Sequence, residues 1–265
     1  MDATYTRELD DLEAEMAALD VLVAGLDDAG WATATPAEGW DVRDSIAHLA
    51  YAEDLATTAA TNANAFSRRL EELMAALVED PGGLDSMLVG EGRSRTGQEV
   101  LAWWRKARGN TVDALRGHEP RTRLPWIAGP MSARSFVTAR MMETWAHGQD
   151  VADGLGVERP LTARLRYIAD IGVRTRPHSY RGRGMEIPEA DVRVVLEGPN
   201  GEQWTWGEST TDTVRGPALD FCLVVTQRRH PTDTQLKVTG PLASEWIGIA
   251  QAFAGPVTEQ RPPRA

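Results

Sequence analysis

Helical periodicity through residues 1–155 constrains the fold of this chain more than any other feature. Apolar side chains recur three and four positions apart, which places them on one face of a helix. Asp41 and Ser132 stand where helix N-caps are expected, and Pro81-Gly82-Gly83 predicts a firm break. Four long helices joined by turn-forming loops predict a helical bundle. We place them at residues 4–28, 41–62 with a bent continuation toward 79, 95–117 and 132–153.

After residue 156 the pattern changes from helical to mixed. The segments predict a helix at 161–176, a β-hairpin at 190–198 and 202–207, a strand at 234–240 and a helix at 242–253. Residues 216–227 fit either a helix or a buried strand, and the tail from Thr258 onward predicts disorder. The sequence therefore predicts a four-helix bundle over residues 1–156, followed by a small α+β domain over residues 157–265.

Composition and charge exclude several classes of protein. The chain has 28 basic and 39 acidic residues, a net charge of −11, which disfavours a nucleic-acid binder because phosphate binding needs clustered Lys and Arg. No run approaches the roughly 20 apolar residues of a membrane helix, and the acidic start is not a secretory signal. The single cysteine, Cys222, excludes an internal disulfide. We expect a cytoplasmic protein without a membrane partner, a monomer by default with a dimer as the alternative.

The stretch with the most chemical information surrounds Glu143 and His147. Their spacing of four places a carboxylate and an imidazole side by side on one helix face, where they can chelate one cation. Arg140 lies seven residues before His147 and shares this face, so it is a candidate catalytic residue that would add positive charge for an anionic substrate. Asp150 lies one turn beyond His147 and could orient it as a ligand by hydrogen bonding to the other ring nitrogen.

A second histidine, His48, completes a ligand set. It shares a helix face with the small residues Ala52 and Ala59, which would let another helix approach closely, so we expect His48 to point into the bundle. Beside Glu143 and His147 it gives two imidazoles and one carboxylate. That set, with positions left open for water and substrate, is typical of catalytic zinc, and it would also accept nickel, iron or manganese.

Each of these residues also has a plainer interpretation. A Glu and a His four apart are usually a solvated pair, and a lone histidine such as His48 is more often a hydrogen-bonded core residue. Arg140 could simply pair with Glu143. Trp40 and Trp126 lie beside predicted loops, where they would either line a pocket or seal the end of the bundle.

Two motifs together resemble a known family. The stretch EGWDVRDSIAHLAYAE, followed much later by ARMMETWAHGQDVADGLG, is similar to the DinB-like metal-binding bundles and, more closely, to the mycothiol-dependent maleylpyruvate isomerase family of bacteria. The runs GPALDFCLVVTQRRH and LKVTGPLASEWIGIAQAFAGP resemble the small C-terminal domain of the same family. The residues in these two runs are typical of a metal-binding subgroup of the family that has no assigned substrate.

The resemblance implies a metal- and thiol-dependent enzyme. His48, Glu143 and His147 match the family's metal ligands, which usually hold zinc, with nickel possible. The metal would bind the thiol of mycothiol as a thiolate, the nucleophile for an isomerase or an S-transferase acting on a small anionic electrophile. The family also uses a C-terminal arginine, for which Arg228 and Arg229 are the candidates.

Two other functions compete with this hypothesis. In the first, a thiol-independent enzyme of a biosynthetic pathway would use the metal to activate water or to polarise a carbonyl. In the second, a non-catalytic metal-binding module would close its coordination sphere with a fourth protein ligand, such as Asp150 or Glu53.

Overall fold

The computed structural model describes residues 2–79, 84–127 and 129–264, and the predicted break at Pro81-Gly82-Gly83 lies outside them. The chain divides into two compact units, residues 1–159 and 160–265. The first unit is helical and the second combines helices with a mixed sheet, so the predicted fold class is confirmed. Within the described residues, no helix is both long and apolar enough to span a membrane.

The first unit is a bundle of long helices joined by short turns. Its elements are α1 (Ala3–Val23), α2 (Asp28–Trp31), α3 (Val42–Thr61), α4 (Ala63–Glu79), α5 (Leu84–Arg93), α6 (Gly97–Arg116), β1 (Arg123–Leu124), β2 (Met131–Ser132) and α7 (Ala133–Leu155). Strands β1 and β2 form a small antiparallel pair just before α7.

Capping side chains set where the two most important helices begin. The Asp41 carboxylate accepts a hydrogen bond from the backbone N–H of Asp44 and starts α3. The Ser132 hydroxyl accepts one from Ser135 and starts α7, which ends at Gly156 in the left-handed conformation. Both predicted N-caps are therefore confirmed, and they fix the registers of the helices that carry His48 and Glu143.

Two details of the predicted bundle are wrong. The first helix stops at Val23 instead of continuing to residue 28, because the Asp27 side chain caps a separate short turn, α2, by accepting a hydrogen bond from Gly30 N–H. The extra helix α5 was missed, since its ten residues follow the glycine-rich break and are too few to show a clear periodicity.

Helix α3 lies at the centre of the bundle and packs against α5, α6 and α7. Its buried positions are rich in small side chains, including Ala47, Ala50 and Ala56, which let neighbouring helices approach closely. Gly92 of α5 shows the closeness of this packing, because a Cβ built on it would lie 2.2 Å from the Ala47 Cβ. His48 follows Ala47 on the same helix, so this close packing fixes the helix that carries His48.

The second unit packs helices against a four-stranded sheet. Its elements are α8 (Leu165–Arg174), α9 (Arg176–Gly182), β3 (Arg193–Glu197), β4 (Gln203–Trp206), β5 (Thr213–Pro217), α10 (Ala218–Val225), β6 (Lys237–Thr239) and α11 (Pro241–Ile249). The strand order is β4-β3-β5-β6, in which β3 and β5 are parallel and the other neighbours antiparallel.

The sequence predicted the hairpin of this unit correctly and its tail incorrectly. Strands β3 and β4 pair with Val194 opposite Trp206, as alternation and the turn between them indicated. The ambiguous segment 216–227 is mainly helix α10, with its first two residues ending β5. The tail is held in place, because the Thr258 hydroxyl donates to Gln227 Oε1 and the Gln260 side chain donates to backbone carbonyls of this unit, such as that of Ala250.

We predict that Gly97→Ala destabilises the bundle. A Cβ at this position would lie 2.1 Å from the Trp31 ring, so the buried indole must move, and overpacking of this kind costs about 1–3 kcal/mol. Thermal or urea unfolding should show the loss. Gly109→Ala on the same helix is the matched control, because its Cβ would meet nothing within 4 Å and should raise the free energy of unfolding by up to about 1 kcal/mol. Equal effects from both variants would contradict the prediction.

Candidate metal centre

Three side chains from α3 and α7 converge on one point in the bundle. His48 Nε2 lies 4.0 Å from Glu143 Oε2, and His147 Nε2 lies 3.6 Å from the same oxygen. The side chains are partly buried, with 15%, 20% and 12% of the surface of His48, Glu143 and His147 exposed. The i,i+4 pair on α7 and the facing residue of α3 thus meet as the sequence predicted.

The geometry of this group fits a single metal ion. One ligand atom from each residue lies within 4.8 Å of the other two, and within the described residues it is the one such group of three. Ligand atoms about 2.1 Å from a tetrahedral zinc ion stand roughly 3.4 Å apart. The two separations from Glu143 Oε2, 4.0 Å and 3.6 Å, exceed that spacing by a fraction of an ångström, which small side-chain rotations can close.

Electrostatics keep the Glu143 carboxylate ionised. Burial acts to raise the pKa of Glu143, but the adjacent His147 and the positive charge of Arg140, together with His48, outweigh it and lower the pKa to about 2. Glu143 is therefore an anion throughout the neutral range. A permanent carboxylate between two imidazoles is the donor set that divalent transition metals bind.

Asp150 lies behind the His147 ring. Its carboxylate is fully buried, and Oδ2 is 3.7 Å from His147 Nδ1, the ring nitrogen that does not face Glu143. Metal-binding histidines commonly direct their second nitrogen toward a carboxylate, which fixes the ring orientation and the tautomer. Asp150 has the right position for that task, while Nε2 of His147 stays directed at Glu143.

Arg140 does not pair with Glu143, which was its plainer interpretation from sequence. Its Nε donates to Glu53 Oε1 at 3.0 Å, and the two side chains are 3% and 0% exposed. The guanidinium also lies 5.8 Å from the centre of the Trp126 ring. The Arg140–Glu53 pair thus joins α7 to α3 by a buried ion pair close to the three convergent residues.

The role of Glu53 was missed by sequence reasoning, which considered it as a fourth metal ligand. It is engaged by Arg140 and does not belong to the convergent group. The partners lie 87 residues apart, so no local spacing could have revealed the pair. The available indication was weaker: two opposite charges lie near the two motifs, on helices expected to face each other.

Of the two tryptophans expected near a pocket, Trp40 contacts the candidate ligands. Its ring stacks on His147 with centroids 5.8 Å apart and packs at a tilt on His48 at 5.3 Å. Trp126 instead packs on Phe66 and Phe136. Trp126 therefore contributes to an aromatic cluster of the bundle.

Arg228 and Arg229 belong to the second unit. They follow α10 directly after Gln227, whose φ of 59° is the one positive value among the described residues other than glycine. Arg228 Nη1 donates to the Thr226 carbonyl at 2.6 Å, and Arg229 Nη1 donates to the Arg228 carbonyl at 2.7 Å. Their assignment as anion-binding residues stays a prediction.

The fold and this donor set define a class, a helical bundle with a three-residue candidate metal centre followed by an α+β unit. Residues 12–152 match the family described as the mycothiol maleylpyruvate isomerase N-terminal domain. The chain belongs to this family.

The chain is also similar to two whole-length relatives and to two solved structures. The chain is 44% identical over 247 residues to the uncharacterized proteins Rv0036c and MT0041 of Mycobacterium tuberculosis strains H37Rv and CDC 1551, covering 93% of this chain and 95% of each relative. A crystal structure of the mycothiol-dependent maleylpyruvate isomerase matches with a TM-score of 0.57 and 14% identity, over 84% of this chain and 89% of that one. A histidine-to-alanine mutant of that isomerase matches with a TM-score of 0.56 and 13% identity over the same shares. At these identities the structural matches show a common fold.

We predict that Glu53→Gln destabilises the protein strongly. The substitution leaves the Arg140 guanidinium buried without a counter-charge, and breaking one side of a buried pair costs about 3–5 kcal/mol. Replacing both partners, as Arg140→Met with Glu53→Leu, should restore most of that loss, since no uncompensated charge remains. Chemical denaturation of Arg140→Met, Glu53→Leu and the double variant measures the coupling.

The exposed pair of Glu91 and Arg95, four residues apart, provides the control for this cycle. Glu91→Gln should change the free energy of unfolding by less than about 0.5 kcal/mol, because exposed ion pairs contribute little. If Glu53→Gln were as mild as Glu91→Gln, the buried pair would not be the link between α3 and α7 that its geometry indicates.

Proposed function

We propose that this chain is a metal-dependent enzyme that uses a low-molecular-weight thiol, mycothiol or a close analogue, as a nucleophile on a small anionic electrophile, in an isomerase or S-transferase reaction. The convergence of His48, Glu143 and His147 carries the proposal. Membership of the mycothiol maleylpyruvate isomerase family supports the thiol and the reaction class. We place the reaction in the reducing cytoplasm, with small molecules as its partners.

The number of donors favours catalysis over a structural or sensory metal site. Catalytic zinc sites have three protein ligands and keep a position for substrate, whereas structural sites close with a fourth. Among the described residues, no fourth His, Cys, Asp or Glu side chain joins the group. Glu53 is engaged by Arg140, and Asp150 lies beside the Nδ1 side of His147. Neither of the two expected fourth ligands is therefore placed to close the sphere.

The bound metal would supply activation of the thiol, because a coordinated thiol is held as a thiolate near neutral pH and is then a strong nucleophile. The chain's own residues set the charge around it. Two neutral imidazoles and the Glu143 carboxylate leave a divalent ion with positive charge in excess. That excess favours an anionic electrophile over a neutral one.

Arg140 acts in this proposal through its charge and position. It is buried and bound to Glu53, so we assign it a positioning role at this site in place of the catalytic role that the sequence suggested. Asp150 lies 3.7 Å from His147 Nδ1, and we assign it the task of orienting that ring. Direct recognition of the anion is assigned to Arg228 or Arg229, as the family resemblance implies.

Metal content tests the first part of the proposal. We expect about one divalent ion per chain in the wild type. The expected metal is zinc, with nickel as the alternative. His147→Ala should lose the ion. Elemental mass spectrometry on both proteins gives the ratio. His178→Ala, in the second unit, is the matched control and should keep its metal. If the wild type held no metal even after incubation with zinc or nickel, the proposal of a metalloenzyme would be refuted.

Thiol dependence tests the second part. The metal-loaded protein should convert a small unsaturated dicarboxylate such as maleylpyruvate, or another electrophile from an anionic panel, only when mycothiol is present. Glu143→Gln should abolish both metal binding and turnover. Turnover that is indifferent to added thiol would favour the thiol-independent metalloenzyme instead, and equal turnover by the metal-free protein would exclude both.

A further inference from the structure

Three aromatic rings form a cluster at the candidate metal centre. The imidazoles of His48 and His147 have centroids 4.6 Å apart with their planes inclined at 54°. The Trp40 indole lies against both, stacked within 17° of the His147 plane and tilted by 50° to the His48 plane. One side chain from a loop therefore contacts both candidate ligand rings, which come from two different helices.

The backbone around Trp40 is firmly held. Its carbonyl accepts hydrogen bonds from Thr35 N–H at 2.9 Å and from the Thr35 hydroxyl at 3.1 Å, and its N–H donates to the Ala37 carbonyl at 3.0 Å. The preceding Gly39 has a φ of 75°, which makes the turn that presents the indole. The following Asp41 caps α3. Trp40 is thus rigidly connected to the helix that carries His48.

The same loop is also in direct contact with α7, the helix of Glu143 and His147. A Cβ built on Gly154 of α7 would lie 2.7 Å from the Ala34 carbonyl oxygen and 3.3 Å from the Thr35 Cα. Only a glycine leaves room for the loop backbone at this distance. The loop of residues 33–41 therefore sits against both ligand-bearing helices, and Trp40 projects from it onto the histidine rings.

We infer that Trp40 is a positioning residue of the metal centre, which fixes the planes of both imidazoles so that each Nε2 stays directed at the Glu143 carboxylate. Imidazole rings turn about their side-chain bonds, and Asp150 is placed to restrain only His147. The indole stacks on the His147 ring and packs at a tilt against the His48 ring, which restricts the rotation of both. The inference rests on the proposed function, since the rings need this orientation only if they bind one ion.

Cobalt provides the test, because Co²⁺ occupies zinc sites and its visible absorption reports the coordination geometry. In Trp40→Ala we expect Co²⁺ affinity, measured by chelator competition, to fall by about 10–100-fold, the usual effect of removing a group that orients metal ligands. The Co²⁺ absorption bands should also change in position and intensity. Trp40→Phe keeps an aromatic ring against the imidazoles and should recover most of the affinity and the wild-type spectrum.

Gly154→Ala provides a second, independent perturbation. It leaves the indole intact but pushes the loop away from α7, so it should weaken Co²⁺ binding in the same direction as Trp40→Ala. Trp206→Phe in the second unit and Gly109→Ala on α6 are the matched controls and should bind Co²⁺ as the wild type does. Thermal unfolding of every variant without metal shows which remain folded.

The outcomes separate this inference from the proposed function. Wild-type protein that binds no Co²⁺ overturns the proposed function and the inference with it. Normal Co²⁺ binding by the wild type, together with unchanged affinity and spectrum in folded Trp40→Ala, overturns the inference alone. Weaker binding with an altered spectrum in Trp40→Ala, restored in Trp40→Phe, supports it, because a merely structural tryptophan would not change the metal spectrum.

Discussion

The close packing of α3 against α6 and α7 is the constraint on which the candidate site depends. Alanines on the buried faces of α3 let the neighbouring helix backbones approach, and small contact residues bring helix axes nearer. Only at such a distance can His48 on α3 and the pair of Glu143 and His147 on α7 place their ligand atoms within 4.8 Å of one another. Larger side chains on α3 would keep the same residues apart and leave two unrelated polar patches.

Two glutamates near this contact have different roles because their surroundings differ. Glu53 is fully buried and its charge is matched by Arg140, which is also buried, so it serves the packing of the two helices. Glu143 instead lies between two histidines, His48 and His147. The two histidines and the charge of Arg140 lower its pKa to about 2, and its oxygen faces the imidazoles. One carboxylate therefore joins two helices, and the other faces the imidazoles of the candidate metal centre.

Periodicity and capping predicted the main helices, the two caps at Asp41 and Ser132, and the hairpin of β3 and β4. These features follow from interactions between residues close in sequence. The errors occur where the structure depends on interactions that sequence periodicity does not report. The early end of α1 depends on a competing cap at Asp27, and the ordered tail depends on distant partners such as Gln227, which no local pattern reveals.

The amino-acid sequence by itself determined the pairing of Glu143 and His147, because their spacing of four brings them together on any α-helix. Tertiary structure decided the rest. The approach of His48, the pairing of Arg140 with Glu53 instead of Glu143, and the seating of Trp40 on both imidazoles all join segments far apart in the chain. Such contacts form only when whole helix faces are buried together, so no single segment of the sequence can stabilise them alone.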